Sequence, residues 1–213
     1  MSSFNITNNI IAPKVLIDTT RSGDLLMVDI EGSNKMLQRI KVNLEAVEAM
    51  LYFWLAASEK ENIPEKFFYD VADMPALSCA YDEEFNGESV RRALSAIKNR
   101  EPFAGNKKEL KFWNNNMWMM EDLEYTNAMA SPIKKLNLDI MVEKLRGVIG
   151  YNKYDEIEVI FAPLHSDEYI ISKNKLVINF FRVKPDFVEE KTYIGETELN
   201  EYIEEKLKEL IGK

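Results

Sequence analysis

Between Leu37 and Trp54 the apolar residues fall at alternating steps of three and four: Leu37, Ile40, Leu44, Val47, Leu51 and Trp54. That spacing lays one continuous stripe along a helix, capped at Ser33 and predicted to run to about Ser58. Met36, Met50, Phe53 and Ala57 widen the stripe beyond the narrow seam of a coiled coil. A helix apolar over so much of its circumference needs several neighbours, and the rest of the chain has to supply them.

Upstream, "KVLIDTTRSGDLLMVDIEG" has the pattern of a β-hairpin turning at Arg21-Ser22-Gly23-Asp24, with Leu26, Val28 and Ile30 on one face of its second strand. Downstream, Pro64 opens a short helix through Phe67, Phe68 and Val71. Glu88 to Asn99 is predicted as a helix with Val90, Ala93, Leu94 and Ile97 inward, and "REPFAGNKK" as loop. Asn114 to Asn116 predict a break, because asparagine side chains compete for backbone hydrogen bonds inside a helix. One of the three is expected to cap a helix starting near Met117. Ser131-Pro132 predicts a further helix opening, leading through Ile133, Leu136, Ile140, Leu145 and Val148 to about Gly150.

Beyond that the chain turns β-rich. "DEIEVIFAP" predicts a strand, and "EYIISKNKLVINFFRV" a hairpin turning at Lys173-Asn174. Leu176 to Phe181 is apolar on both faces apart from Asn179, the pattern of a central strand, with Pro185 as its stop. A last helix carries Leu199, Ile203, Leu207 and Leu210 inward. The order hairpin, helices, hairpin, helix predicts an α+β fold. Its mainly antiparallel sheet would be formed by the N-terminal hairpin and the C-terminal strands, packed by the central helical segment and the C-terminal helix. A single domain over 1–213 is expected; the alternative is a division into 1–150 and 151–213.

Several chemistries lack their residues. One histidine and one cysteine among 213 residues exclude paired imidazoles, thiolate zinc or iron–sulfur clusters and an internal disulfide. Walker, dinucleotide and nucleophile-elbow motifs do not occur. No cofactor and no metal is therefore expected. The N-terminal residues lack the pattern of a signal peptide, and no apolar run reaches membrane length, so the expected location is cytoplasmic. The richness in Asn, Lys and Ile suggests a bacterial source. A net charge of −9 makes nucleic acid and anionic membranes unexpected partners and a basic protein, or self-association, the expected ones. The charge is uneven, with nine acids against four bases from Asp186 to Lys213, and seven bases against two acids from Arg91 to Lys111.

The candidate positions are few. His165, in "APLHSDEY" beside Asp167 and Glu168, is the one side chain whose ordinary titration suits acid–base work near neutrality. Cys79 is expected to act as a small buried hydrophobe. The carboxylates Asp82, Glu83, Glu84 and Glu88, and Glu121, Asp122 and Glu124, are expected on solvated faces. In "FWNNNMWMMEDLEYTNAMASP" a helix from Met117 would align Trp118, Glu121, Tyr125 and Ala128: an aromatic body, a carboxylate and a phenol, as in small-molecule pockets. A ligand site is therefore placed at Trp113, Trp118, Glu121 and Tyr125, with His165. No catalytic set can be assembled. The expectation is a non-catalytic binding or protein-interaction module, and the alternative an enzyme or small-ligand binder using that pocket.

Overall fold

A computed structural model describes residues 36–213. The predicted hairpin over 14–32 lies outside them. The described residues belong to one compact unit, Asn34–Lys213. They form an α+β fold of eight helices and seven strands in two sheets.

The first sheet has the order β1 (Arg39–Asn43), β2 (Glu156–Ala162), β4 (Lys175–Asn179), β3 (Tyr169–Ser172). It is mixed rather than mainly antiparallel. β1 pairs parallel with β2, Ile40 opposite Ile157, and β2 pairs parallel with β4, Val159 opposite Leu176. Only β3 runs antiparallel, folding back on β4 through a turn in which Lys173, not Asn174, takes the left-handed conformation at φ 55°. Parallel neighbours need a crossover connection, and seven helices supply it between β1 and β2. Strand direction leaves no mark on a two-residue period, which is why the apolar pattern alone pointed to an antiparallel sheet. The second sheet is a small antiparallel one, β5 (Val183–Asp186), β6 (Lys191–Ile194), β7 (Thr197–Glu198). Pro185 lies within β5, an edge strand, where a missing N–H is tolerated.

The long stripe divides differently from its prediction. Residues 39–43 form β1, and the helix, α1, starts only at Glu45 and runs to Ser58. Steps of three and four from Leu37 to Leu44 overlap the alternation Ile40, Val42 between Arg39, Lys41 and Asn43. Pairing with β2 decides in favour of the strand. Asn43 marks the changeover: its Nδ2 donates to Glu158 across the sheet (2.7 Å), and its Oδ1 accepts from the N–H of Glu45 (2.9 Å).

Helices α2 (Glu65–Ala72), α3 (Pro75–Ser78) and α4 (Gly87–Asn99) follow. The next helix, α5, spans Lys107–Glu121 and passes straight through Asn114 to Asn116, against the predicted break. It starts at Asn106, whose side chain accepts from the N–H groups of Lys108 and Glu109 while Glu109 bonds back to the Asn106 N–H. That capping box was legible as Asn-x-x-Glu. The end of the asparagine run is tolerated because Asn116 is wholly buried and satisfied: Oδ1 accepts from Trp54 Nε1 (3.0 Å) and Nδ2 donates to the Phe112 carbonyl one turn back (2.9 Å).

Helix α6 covers Leu123–Lys134 with Asp122 as its cap, so Ser131-Pro132 closes a helix instead of opening one. A proline in the last turn forfeits one intrahelical bond without breaking the rest. Helix α7 is short, Asp139–Leu145, and α8 covers Leu199–Gly212.

The sheet is covered on both faces. Ile157, Val159, Phe161, Leu176 and Ile178 join the main core with Trp54, Leu94, Phe112 and Ile203 of the helices. Ile160, Ala162 and Val177 point the other way into a smaller cluster with Ala46, Ala76 and Ala80. No described helix is long and apolar enough to cross a membrane.

Candidate functional site

Helices α5 and α6 meet at a single residue, Asp122, which ends one and caps the other. Its N–H donates to the Trp118 carbonyl (3.1 Å), and its Oδ1 accepts from the N–H of Tyr125 (2.9 Å). Thr126 Oγ1 donates to the Met119 carbonyl (2.9 Å), tying the two helix ends together. Asn115, Trp118 and Asp122 follow one another at steps of three and four, so they share a face of α5. Tyr125 joins from α6.

The fourth wall comes from the far end of the chain. Asn179 closes β4 and leads into a 3₁₀ turn, Phe180–Arg182. Its Oδ1 accepts from the N–H of Phe181 (3.1 Å) and its Nδ2 donates to the Asp167 carbonyl (2.8 Å). Phe180 stacks on Trp54 (5.7 Å between ring centres), and Phe181 leans against the same indole at 6.4 Å. Asn115, Trp118, Met119, Asp122, Tyr125 and Phe181 thus enclose an open cleft of about 420 Å³. Trp118 is 62% exposed and Tyr125 37%.

The structure brings together part of the predicted set. Trp118 and Tyr125 line the cleft. Glu121 is exposed but outside it, and the carboxylate that does line it is Asp122. The difference follows from the helix break: a single helix from Met117 would align Glu121 with Tyr125, whereas the turn at Asp122 brings Tyr125 in from a second axis. Trp113 lies five residues before Trp118, about 140° around α5, and stacks on Phe103 at 6.0 Å instead. Its Nε1–H is buried and has no partner among the described residues. Asn115, Met119 and Phe181 went unpredicted. The first two were visible once α5 is recognised as continuous; Phe181 was not, because nothing local links it to residue 118.

His165 sits elsewhere, buried. Its ring packs on Phe85 with centres 4.4 Å apart. Nε2 donates to the Ala80 carbonyl (3.1 Å), since a carbonyl only accepts, and Nδ1 lies 2.7 Å from Ser166 Oγ. Both ring nitrogens thus face groups other than the neighbouring acids, and Glu168 accepts from the Tyr202 hydroxyl (2.9 Å). The ring's bonds and burial are those of a core packing residue joining two loops.

Cys79 donates to the Ala76 carbonyl (3.1 Å), and burial pushes its thiol up from 9.0 to about 11. At pH 8 its thiolate fraction is expected to be lower by about a hundredfold than for a thiol at 9.0. Reaction with a disulfide reagent should be slower by about that factor in the folded protein than in urea, and should keep rising past pH 9. Equal rates in the two states would show the thiol to be freely accessible. Folding favours the protonated thiol, so this contribution to stability is present below pH 9 and is lost as pH rises towards 11.

The charged clusters are used internally. Lys108 lies between Asp82 and Glu84, the latter at 3.0 Å, and Arg91 pairs with Glu88. Arg92 reaches Glu109 (3.1 Å) and the Ala104 carbonyl (2.8 Å). Three of the seven bases between Arg91 and Lys111 thus have acidic partners, so the run is weaker as an anion-binding surface than its sequence suggests. A second depression, about 490 Å³, lies beside the β5–β6 turn. It is formed within one hairpin region, not by separate elements converging.

Comparisons with protein families, with curated proteins and with solved structures return no match.

Proposed function

We propose that this protein acts by binding, without bond-making chemistry of its own, and that the cleft between α5, α6 and the Phe180–Arg182 turn holds its ligand. One observation carries the reading. Aromatic side chains from three separate elements converge on a single carboxylate, and the largest of them, Trp118, is left mostly in water. A tryptophan exposed on a rigid helix loses the free energy its burial would yield, a cost that a binding role explains.

A small ligand fits this cleft better than a basic protein partner. About 420 Å³ lies in the range of small-molecule sites. Three of the four acids of α8 are paired within the chain. Glu204 holds Lys144 and Lys208, Glu205 holds Lys206, and Glu209 holds Lys213.

The chain has three tryptophans, so an amide NMR spectrum carries three indole signals, assignable by single Trp→Phe variants. A soluble fragment mixture is expected to move the Trp118 signal and leave that of buried Trp54 in place. Trp118→Ala should weaken the same ligands about tenfold or more while changing stability by less than about 0.5 kcal/mol, as for most exposed positions. A library that leaves Trp118 unmoved, or moves signals only elsewhere, would remove the cleft from consideration.

A further inference from the structure

We propose that the ligand is a small organic cation, recognised through a quaternary or similarly poorly hydrated ammonium group. The inference rests on the cleft being a binding site and adds the chemical class of what it takes.

Charge is the first reason. Of the six lining residues only Asp122 is of a charged type, and it is acidic. The chain as a whole carries −9, so its field draws cations and repels anions. The helix ends do not reverse this. The negative end of α5 and the positive end of α6 meet at Asp122, and their opposed partial charges offset one another.

The second reason is a contrast among the aromatic rings. Several rings elsewhere hold a cation from within the chain. Arg91 lies 4.5 Å over Tyr69, Arg92 5.5 Å over Phe103, and Lys206 4.8 Å over Tyr169 and 5.3 Å over Tyr202. Among the described residues no lysine or arginine lies over Trp118, Tyr125 or Phe181. These are the rings that surround an acid, and tryptophan is the strongest cation receptor of the three types.

The kind of cation follows from the donors and acceptors present. Asp122 Oδ1 is engaged by the Tyr125 N–H, leaving one carboxylate oxygen. A primary ammonium is strongly hydrated and has to recover three hydrogen bonds at once, from Asp122, Asn115 and Tyr125, in an open cleft whose other walls are apolar. A quaternary ammonium needs none. Its methyl groups rest on ring faces and on the Met119 thioether, and its charge is met by Asp122.

The test uses the full chain and two probes of one shape, choline and 3,3-dimethylbutan-1-ol, in which carbon replaces the charged nitrogen. Titrations followed at the Trp118 indole signal are expected to give about tenfold tighter binding of choline. Asp122→Asn keeps the oxygen that caps α6 and removes the charge. It should weaken choline about fivefold and leave the alcohol unchanged. Equal affinities, or an Asp122→Asn variant that binds choline as well as the parent, would overturn the cation while leaving the cleft as a binding site. The same holds if choline leaves Trp118 unmoved but neutral fragments shift it. If no probe and no fragment moves that signal, both readings fall.

Discussion

Replacing Asn116 with alanine is expected to lower the unfolding free energy by about 2–3 kcal/mol, although asparagine is among the poorer residues in a helix. The side chain is completely buried and makes both its bonds within the core, accepting from Trp54 Nε1 and donating to the Phe112 carbonyl. Alanine leaves the indole N–H in an apolar interior with nothing to receive it, and opens a small cavity beside it. Better helix propensity returns only about 0.7 kcal/mol. Asn114, two residues earlier and exposed, provides the contrast: alanine there should be neutral or stabilise by up to about 0.7 kcal/mol. Urea denaturation of the two variants measures the difference directly. Equal stabilities would mean that the buried bond contributes nothing. A cycle with Trp54→Phe, which removes the orphaned donor, should recover much of the loss in the pair Trp54→Phe with Asn116→Leu.

The second large effect is expected at Asn179, where alanine should cost about 3–4 kcal/mol. Its carboxamide accepts from the N–H groups of Leu164 (3.2 Å) and Phe181 (3.1 Å) and donates to the Asp167 carbonyl (2.8 Å). The residue is 1% exposed, so water cannot replace these bonds. It joins the end of β4 to the segment after β2 and sets the turn that carries Phe181 to the cleft. Asn179→Ala should therefore both lower stability and weaken any ligand of the cleft. Hydrogen exchange at the Leu164 and Phe181 amides is the specific measurement, and protection there should fall more than in α1. Undiminished protection at both amides would show that the backbone holds this corner without the side chain.

Both asparagines mark where sequence patterns reached their limit. Asn179 was visible as the one polar residue in an apolar strand, but its three partners lie up to 15 positions away. Asn116 carried a misleading signal. Three consecutive asparagines oppose a helix on local grounds, and only the indole of Trp54, 62 positions upstream, makes one of them suitable. The capping box at Asn106 and Glu109 was a local signal that pointed correctly, and it outweighed the run that followed. His165 shows the reverse case. Its carboxylate neighbours in sequence suggested an oriented base, yet the ring is claimed by the Ala80 carbonyl and Phe85. Of the residues expected to form a ligand site, Trp118 and Tyr125 line the cleft proposed for it, whereas Glu121 lies outside and Asp122 lines it, because the chain turns where a continuous helix was expected.

Taken alone, the amino-acid order determined an α+β composition of elements, a short helix at Pro64, the helices near Glu88 and Leu199, the two-faced apolar character of β4, and the lack of paired histidines or cysteines. These depend on periodicity, capping and residue counts, which act over one or two turns of chain. Tertiary structure alone decided that Arg39–Asn43 is a strand, that β2 runs parallel to both its neighbours, and that Phe181 stands opposite Trp118 across a cleft. Each of these depends on a partner far away in sequence: a strand takes its direction, and a buried asparagine its value, from groups that come near only once the core has closed.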